Sequence, residues 1–381
     1  MNESHHDQNH PTSTFLRNVI IKGILLFLII QFGLALIPIG NRAGRLSLYN
    51  ILFPGRVRLP FGENAREAYN LSLYDLEAMF ASHEISAGAK PEDEFRIILI
   101  GDSATWGTLL EPEDTLSGLI NQDNLTACDR RLVKAYNLAY PSMSLTKDLM
   151  ILEKALAYDP DLIIWPVTLE SFPDKIQIET PMVANNPHRV TPLIETYDLS
   201  LNPNSEDFKT PGFWDKTLIG RRRTIFDALR LQFYGVMWAA TGIDQTYPED
   251  YTPAQRHYDL DESFHGWEPP QLPLDRIAVD VLRAGMTMAG ETPILIVNEP
   301  IMISDGRNSE VRYNFFYPRW AYDQYRWMMA ERAHYGDWLY LDLWDIIPQS
   351  EFTNSAVHLT PQGSAAYYQA LKPALMGQIC P

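Results

Sequence analysis

A serine near one end of the chain and a histidine near the other are the residues best suited to covalent chemistry. Ser103 stands in IGDSATWG (residues 100–107), directly after the apolar run FRIILIG (95–101). A short buried strand that runs into Gly-Asp-Ser puts the serine at the carboxyl end of that strand, where open α/β sheets place their sites. His358 stands in AVHLTPQG (356–363), after the last expected strand and at the opening of the last helix, so it should meet the same edge. A serine hydroxyl is a weak nucleophile until an adjacent base takes its proton, and histidine is the commonest such base. Ser103 as nucleophile and His358 as general base make a coherent pair for acyl chemistry.

These residues need a scaffold, and the apolar pattern supplies one. Short apolar runs at 95–101, 134–140, 162–167, 293–299 and 338–343 read as five strands. Between them lie helical patterns at 145–158, 274–289 and 318–335, and Thr360 with Pro361 reads as an N-cap and first helical position of a helix to about Met376. Strands alternating with helices imply an α/β fold with a parallel sheet covered on both faces. The alternation stops over about 176–273, a stretch rich in Pro, Tyr, Trp and charge with one good helix at 224–240. It reads as an insertion over one end of the sheet, a lid or a partner surface.

The N-terminus sets a second constraint. A polar tail (1–18) precedes an apolar run at 19–40 with no charge from Gly23 to Asn41. At about 1.5 Å per residue that run comes close to spanning a hydrocarbon core of about 30 Å, so one retained transmembrane anchor in the lipid bilayer is expected. A juxtamembrane segment (41–94) with a helix around 65–82 then leads to the main domain at 95–381. Arg17 and Lys22 lie on the short side, and Arg42, Arg45, Arg56 and Arg58 on the other. Counted literally, the positive-inside rule favours a cytoplasmic main domain.

Composition narrows the partners. The 381 residues hold 31 Lys+Arg against 48 Asp+Glu, a net charge of -17, and a surface this acidic repels nucleic acid. The two cysteines, Cys128 and Cys380, cannot build a four-ligand zinc site alone but could form one disulfide in an oxidising compartment. His5, His6 and His10 sit in the tail without a carboxylate cage, and no Gly-rich phosphate loop is present. Neither a metal nor a nucleotide cofactor is implied.

The blocks around Ser103 and His358 resemble the SGNH (GDSL-type) hydrolase superfamily over about residues 95–175 and 290–381. The resemblance implies a three-layer α/β/α sandwich with a five-stranded parallel sheet, Ser103 as nucleophile with its N–H in the oxyanion hole, and His358 as base. An anchor before such a domain looks like the extracytoplasmic esterases and acyltransferases of cell-envelope glycans. That branch implies an acylated glycan or lipid substrate, admits a membrane-bound acyltransferase as partner, and places the main domain outside the cytoplasm, as an even cysteine pair also suggests. The chain departs from the pattern in three places. The usual Asp three residues before the His is Ser355, with Asn354 beside it; the second-block Gly is near Ser142; and the oxyanion Asn of the third block falls near Thr168. The missing acid is therefore expected from a neighbouring strand end, Glu299 first and Glu170 second, with Asn298, Asp342 and Asp345 also near. A Ser-His dyad assisted by Asn354 or by a backbone carbonyl is the alternative. A serine-dependent hydrolase or O-acyltransferase follows, the rival being a degraded domain that binds a glycan or a partner protein.

Overall fold

The computed structural model describes residues 13–36, 48, 52, 56–61, 74–242, 250–336 and 338–380. Helix α1 (Ser13–Leu36) comes first. It is long and apolar enough to cross a membrane, and most of its side chains are exposed. It begins inside the stretch read as polar tail, because Phe15 and Leu16 continue the apolar surface backwards. Residues 37–40 of the expected anchor lie outside the described residues.

The main domain follows as α2 (Leu76–Ser82), β1 (Glu94–Leu99), α3 (Ser103–Trp106), α4 (Leu116–Gln122), β2 (Leu132–Asn137), α5 (Leu145–Ala155) and β3 (Leu162–Val167). Then come α6 (Pro187–Tyr197), α7 (Arg222–Thr241), α8 (Val279–Ala289), β4 (Ile294–Asn298), α9 (Arg319–Gly336), β5 (Tyr340–Asp342) and α10 (Pro361–Ile379). The five strands form one parallel sheet in the order β2-β1-β3-β4-β5. The chain leaves β1 for β2 on one side and returns to β3 on the other, so the strand order reverses beside β1, the place where such sheets open a crevice.

Alternate residues along each strand face opposite layers. Ile98, Ile163, Trp165 and Ile296 pack in one apolar cluster with α5, α8 and α9. Ile97, Leu99, Ile164 and Val297 pack in the other with α4 and α10. That two-residue alternation, buried on both sides, is why the strands read as continuous apolar runs.

Three expectations are corrected in detail. Of the expected 65–82 helix, the described part is Leu76–Ser82, and residues 62–73 lie outside the described residues. The expected 274–289 helix is broken: Leu274–Arg276 is a single 3-10 turn, and Ala278 donates to the Phe172 carbonyl at 2.9 Å before α8 begins. That pairing draws the backbone of 277–278 out of the helix. The stretch read as an insertion is also not uniform. Met182, Val183, Val190 and Ile194 are buried in the first cluster, so its start belongs to the core.

Two links tie the ends of the chain to the domain. Cys128 and Cys380 form a disulfide with Cα atoms 5.0 Å apart, joining the approach to β2 with the end of α10. Ahead of α2, Arg58 is buried against the ring of Trp106, 4.3 Å from its centroid, and donates to the carbonyls of Gly107 (2.9 Å) and Leu110 (3.0 Å). Trp106 in turn donates to the Leu59 carbonyl at 2.9 Å. Residues 58 and 59, ahead of α2, thus brace the helix that carries Ser103.

Candidate active site

The turn after β1 is built for close approach. Gly101 has φ +148°, and a Cβ there would stand 2.7 Å from Thr105 Oγ1. Asp102 caps α3, its Oδ1 accepting from Ala104 N at 2.8 Å. Ser103 is the first helical residue, so its N–H has no intrahelical carbonyl to reach. Gly107 ends the helix at φ +90°, where a Cβ would meet Thr115 Cγ2 at 2.5 Å. Both glycines are required by conformation and by space. Between them Ser103 is held half-buried at the carboxyl edge of the sheet.

His358 arrives from the far end of the sequence. A bridge between Phe352 and Leu359, and a bond from Thr353 N to the His358 carbonyl at 2.8 Å, close a tight loop over 353–358. Thr360 then caps α10 by accepting from Gly363 N at 3.0 Å, with Pro361 at the first helical position as expected. The loop aims the imidazole at Ser103: His358 Nε2 lies 2.8 Å from Ser103 Oγ. On the other side His358 Nδ1 lies 2.8 Å from Asn354 Oδ1. An amide oxygen can only accept, so Nδ1 carries the proton and Nε2 is left to accept from the serine hydroxyl. Burial holds the imidazole below its ordinary value, down to about 4, so it stays a neutral base.

The position beside Nδ1 is therefore held by Asn354, not by Glu299 or Glu170. Glu299 is buried and hydrogen-bonded to Asp102. Burial first, then the Asp102 charge, push its carboxyl well above the usual range. The carboxyl of Asp102 is raised as well, by burial first, against the pull of Lys147. The Lys147 ammonium, fully buried, donates to the carbonyls of Gly101 and Tyr140 and stands 2.6 Å from Asp148 Oδ1. Burial raises Asp148 to about 6 against that ammonium, and Trp165 Nε1 donates to its other oxygen at 3.2 Å. The four side chains form one buried ionisable cluster directly under the nucleophile turn.

The remaining expected residues have other duties. Glu170 Oε1 pairs with His265 Nε2 at 2.8 Å, tying the end of β3 to the stretch after α7. Thr168 Oγ1 donates to the Tyr317 hydroxyl at 2.9 Å. Asn298 donates to Asp342 Oδ1 at 2.8 Å and accepts from the hydroxyls of Tyr322 and Tyr325. Asp342 also holds Arg326 at 2.7 Å, so this group fastens β4 to β5 and α9. Ser142 N–H is turned back to the Tyr140 carbonyl at 2.8 Å, and its Oγ is buried without a protein partner.

Lys147 and Asp148 are missing from the sequence reading, and Arg58 enters it only through the charge count. Lys147 and Asp148 begin an ordinary amphipathic helix pattern, and Arg58 sits in a basic stretch after the N-terminal apolar helix. Nothing in their spacing marks them. Asp102 lay inside the recognised block as the cap beside the nucleophile.

No protein-family model matches the chain, and no curated protein matches it. Among solved structures it is similar to a carbohydrate acetylesterase family member from Sinorhizobium meliloti, at 11% identity and a TM-score of 0.33, over 74% of this chain and 98% of that one. A likeness this loose decides nothing about chemistry.

Proposed function

We propose that the protein is a membrane-anchored, SGNH-type serine enzyme of acyl-ester chemistry. It hydrolyses an acyl ester or transfers the acyl group to or from a glycan or lipid-linked acceptor, in the latter case with a membrane-bound acyltransferase as a fitting partner. The observation that carries this reading is the Asn354–His358–Ser103 relay, with both links at 2.8 Å. Ser103 Oγ attacks the acyl carbon while its proton passes to His358 Nε2. The Ser103 N–H is placed to donate to the oxygen that becomes negative. Collapse breaks the ester C–O bond, and the leaving alkoxide takes the proton from Nε2. Water or a sugar hydroxyl then gives its proton to Nε2 and attacks the acyl-enzyme, and the acyl C–Oγ bond breaks as Ser103 Oγ takes the proton back from Nε2.

Asn354 selects the same imidazole tautomer as an aspartate would, but brings no charge to the imidazolium that forms. The relay is therefore of the kind that uses an amide as third member. A fluorophosphonate probe tests the reading: labelling at Ser103, lost in Ser103→Ala, is expected. One observation favours a second reading, a binding domain for a glycan or partner. The Ser142 N–H is committed to Tyr140, and one absent oxyanion donor costs roughly 10² to 10³ in rate. A folded protein that stays unlabelled would select that reading.

The domain is assigned to the outside of the cytoplasm. The disulfide supports this, since such bonds persist in oxidising compartments. Arg56 and Arg58, which weighed against it in the charge count, are both buried in the domain and have a folding role there. A C-terminal reporter active only in the cytoplasm would overturn the assignment.

A further inference from the structure

Helix α7 presents an apolar stripe that the rest of the described chain does not cover. Phe226, Leu229, Phe233 and Met237 follow at intervals of three and four residues, and Phe226 and Phe233 are 69% and 79% exposed. On the opposite face Gly235 is buried against the protein. The helix contains Arg222, Arg223 and Arg230 against a single acid, Asp227, in a chain whose net charge is -17. On a helical wheel these arginines fall within and beside the apolar stripe.

What covers this stripe follows from what stands next to it. The segment leading into α7 packs on the C-terminal end of α1. Phe213 stacks on Phe32 with ring centroids 6.0 Å apart, and Trp214 lies 6.2 Å from the same ring. Gln31, the one polar side chain between Lys22 and Leu36, is buried there and accepts from Ile219 N at 3.2 Å. Trp214, 70% exposed beside α1, sits where aromatic belts sit.

We infer that α7, with Phe213 and Trp214, is an interfacial helix that lies in the membrane surface from which α1 emerges. This rests on the reading of α1 as an anchor. Membrane contact on both α1 and α7 would hold the domain in one orientation, where a single helix and a linker would leave it free to tumble.

The test uses the full chain in vesicles of phosphatidylcholine and phosphatidylglycerol, with an environment-sensitive fluorophore on one introduced thiol. The native cysteines are both in the disulfide, so the new thiol is the reactive one. Leu25→Cys reports on α1 and Phe233→Cys on α7, with Phe226→Cys as the second α7 site should Phe233→Cys fail to fold. Expected are quenching at Leu25 by a nitroxide deep in the acyl chains, and quenching with a blue shift at Phe233 by a nitroxide near the headgroups. Quenching at Leu25 with a water-exposed label at Phe233 overturns the inference and leaves the anchor standing. No quenching at Leu25 removes the anchor, and the inference with it. A Phe233 label shielded from water but insensitive to lipid nitroxide also overturns it, assigning the stripe to a second copy or another protein.

Discussion

At the carboxyl edge of the sheet, Asp102, Lys147, Asp148 and Glu299 are each no more than 3% exposed, and each charge or proton has a counterpart in the cluster. Around α7 the arrangement is inverted: aromatic and aliphatic side chains stand in the open while Gly235 turns inward. The first region spends apolar surroundings on ionisable groups. Burial of that kind is costly unless the groups are paired, and it is found where geometry has to be held. The second region leaves apolar surface that the described residues do not cover, and surface of that kind invites association. The two regions thus differ in where they place their polar and apolar groups.

The largest effect should come from the relay itself. Ser103→Ala and His358→Ala should each lower turnover of a small soluble acyl ester by roughly 10³ or more, with circular dichroism unchanged. Near-normal turnover in His358→Ala would remove the histidine from the mechanism. Next comes the cluster beneath. Lys147→Met leaves Asp148 and the Asp102–Glu299 pair without their cation, and loss of one partner from a buried ion pair costs about 3–5 kcal/mol. Urea titration should show that loss; an unchanged midpoint would mean that the ammonium is not holding the nucleophile turn.

Asn354 should show a smaller, graded response. It is exposed, so water can replace its amide, and Asn354→Ala should cost of order 10 to 10² in kcat. Asn354→Asp adds a negative charge beside Nδ1 and should raise the rate. The sign with pH follows from His358. Its folded value is lowered to about 4, so the neutral base survives well below pH 6.5 and activity should fall only as pH drops toward 4. A carboxylate at 354 favours the imidazolium, so the acid limb of the pH–rate profile should move up. A profile that stays in place would show that residue 354 does not touch the base during turnover.

Glu299→Gln should do less still. The amide can give Asp102 the same hydrogen bond that the protonated acid gives, so turnover should stay within about threefold. A loss near 10² would restore Glu299 to the role of the missing acid. Smallest of all, Phe226→Ser with Phe233→Ser should leave turnover of a soluble ester unchanged in detergent, because neither side chain belongs to the relay or its supports. A large loss there would erase the division between the two regions.

The legible part of the fold was the part written in local pattern. Trp165 and Ile163 face one layer and Ile164 the other, so β3 had to read as an unbroken apolar run. Thr360 and Pro361 announce α10 through their own capping geometry. Ser103 and His358 could be named because a parallel sheet gathers its strand ends at one edge, whatever the separation in sequence. The expected acid went to the wrong residue for the same reason. Topology brings Glu299 to that edge but does not say which way its side chain turns.

That choice belonged to the tertiary structure. The bridge from Phe352 to Leu359 folds 353–358 so that Asn354 meets Nδ1, while Glu299 is buried beside Asp102. Arg58 likewise becomes a brace for α3 only when the chain after α1 is laid beside Trp106. By itself the sequence determined an apolar N-terminal helix, a parallel α/β sheet and a serine and histidine at one edge, because periodicity and capping act within a few residues. The hydrogen-bond partner of each buried polar group was decided only on packing, because desolvation and donor geometry depend on residues far apart in the chain.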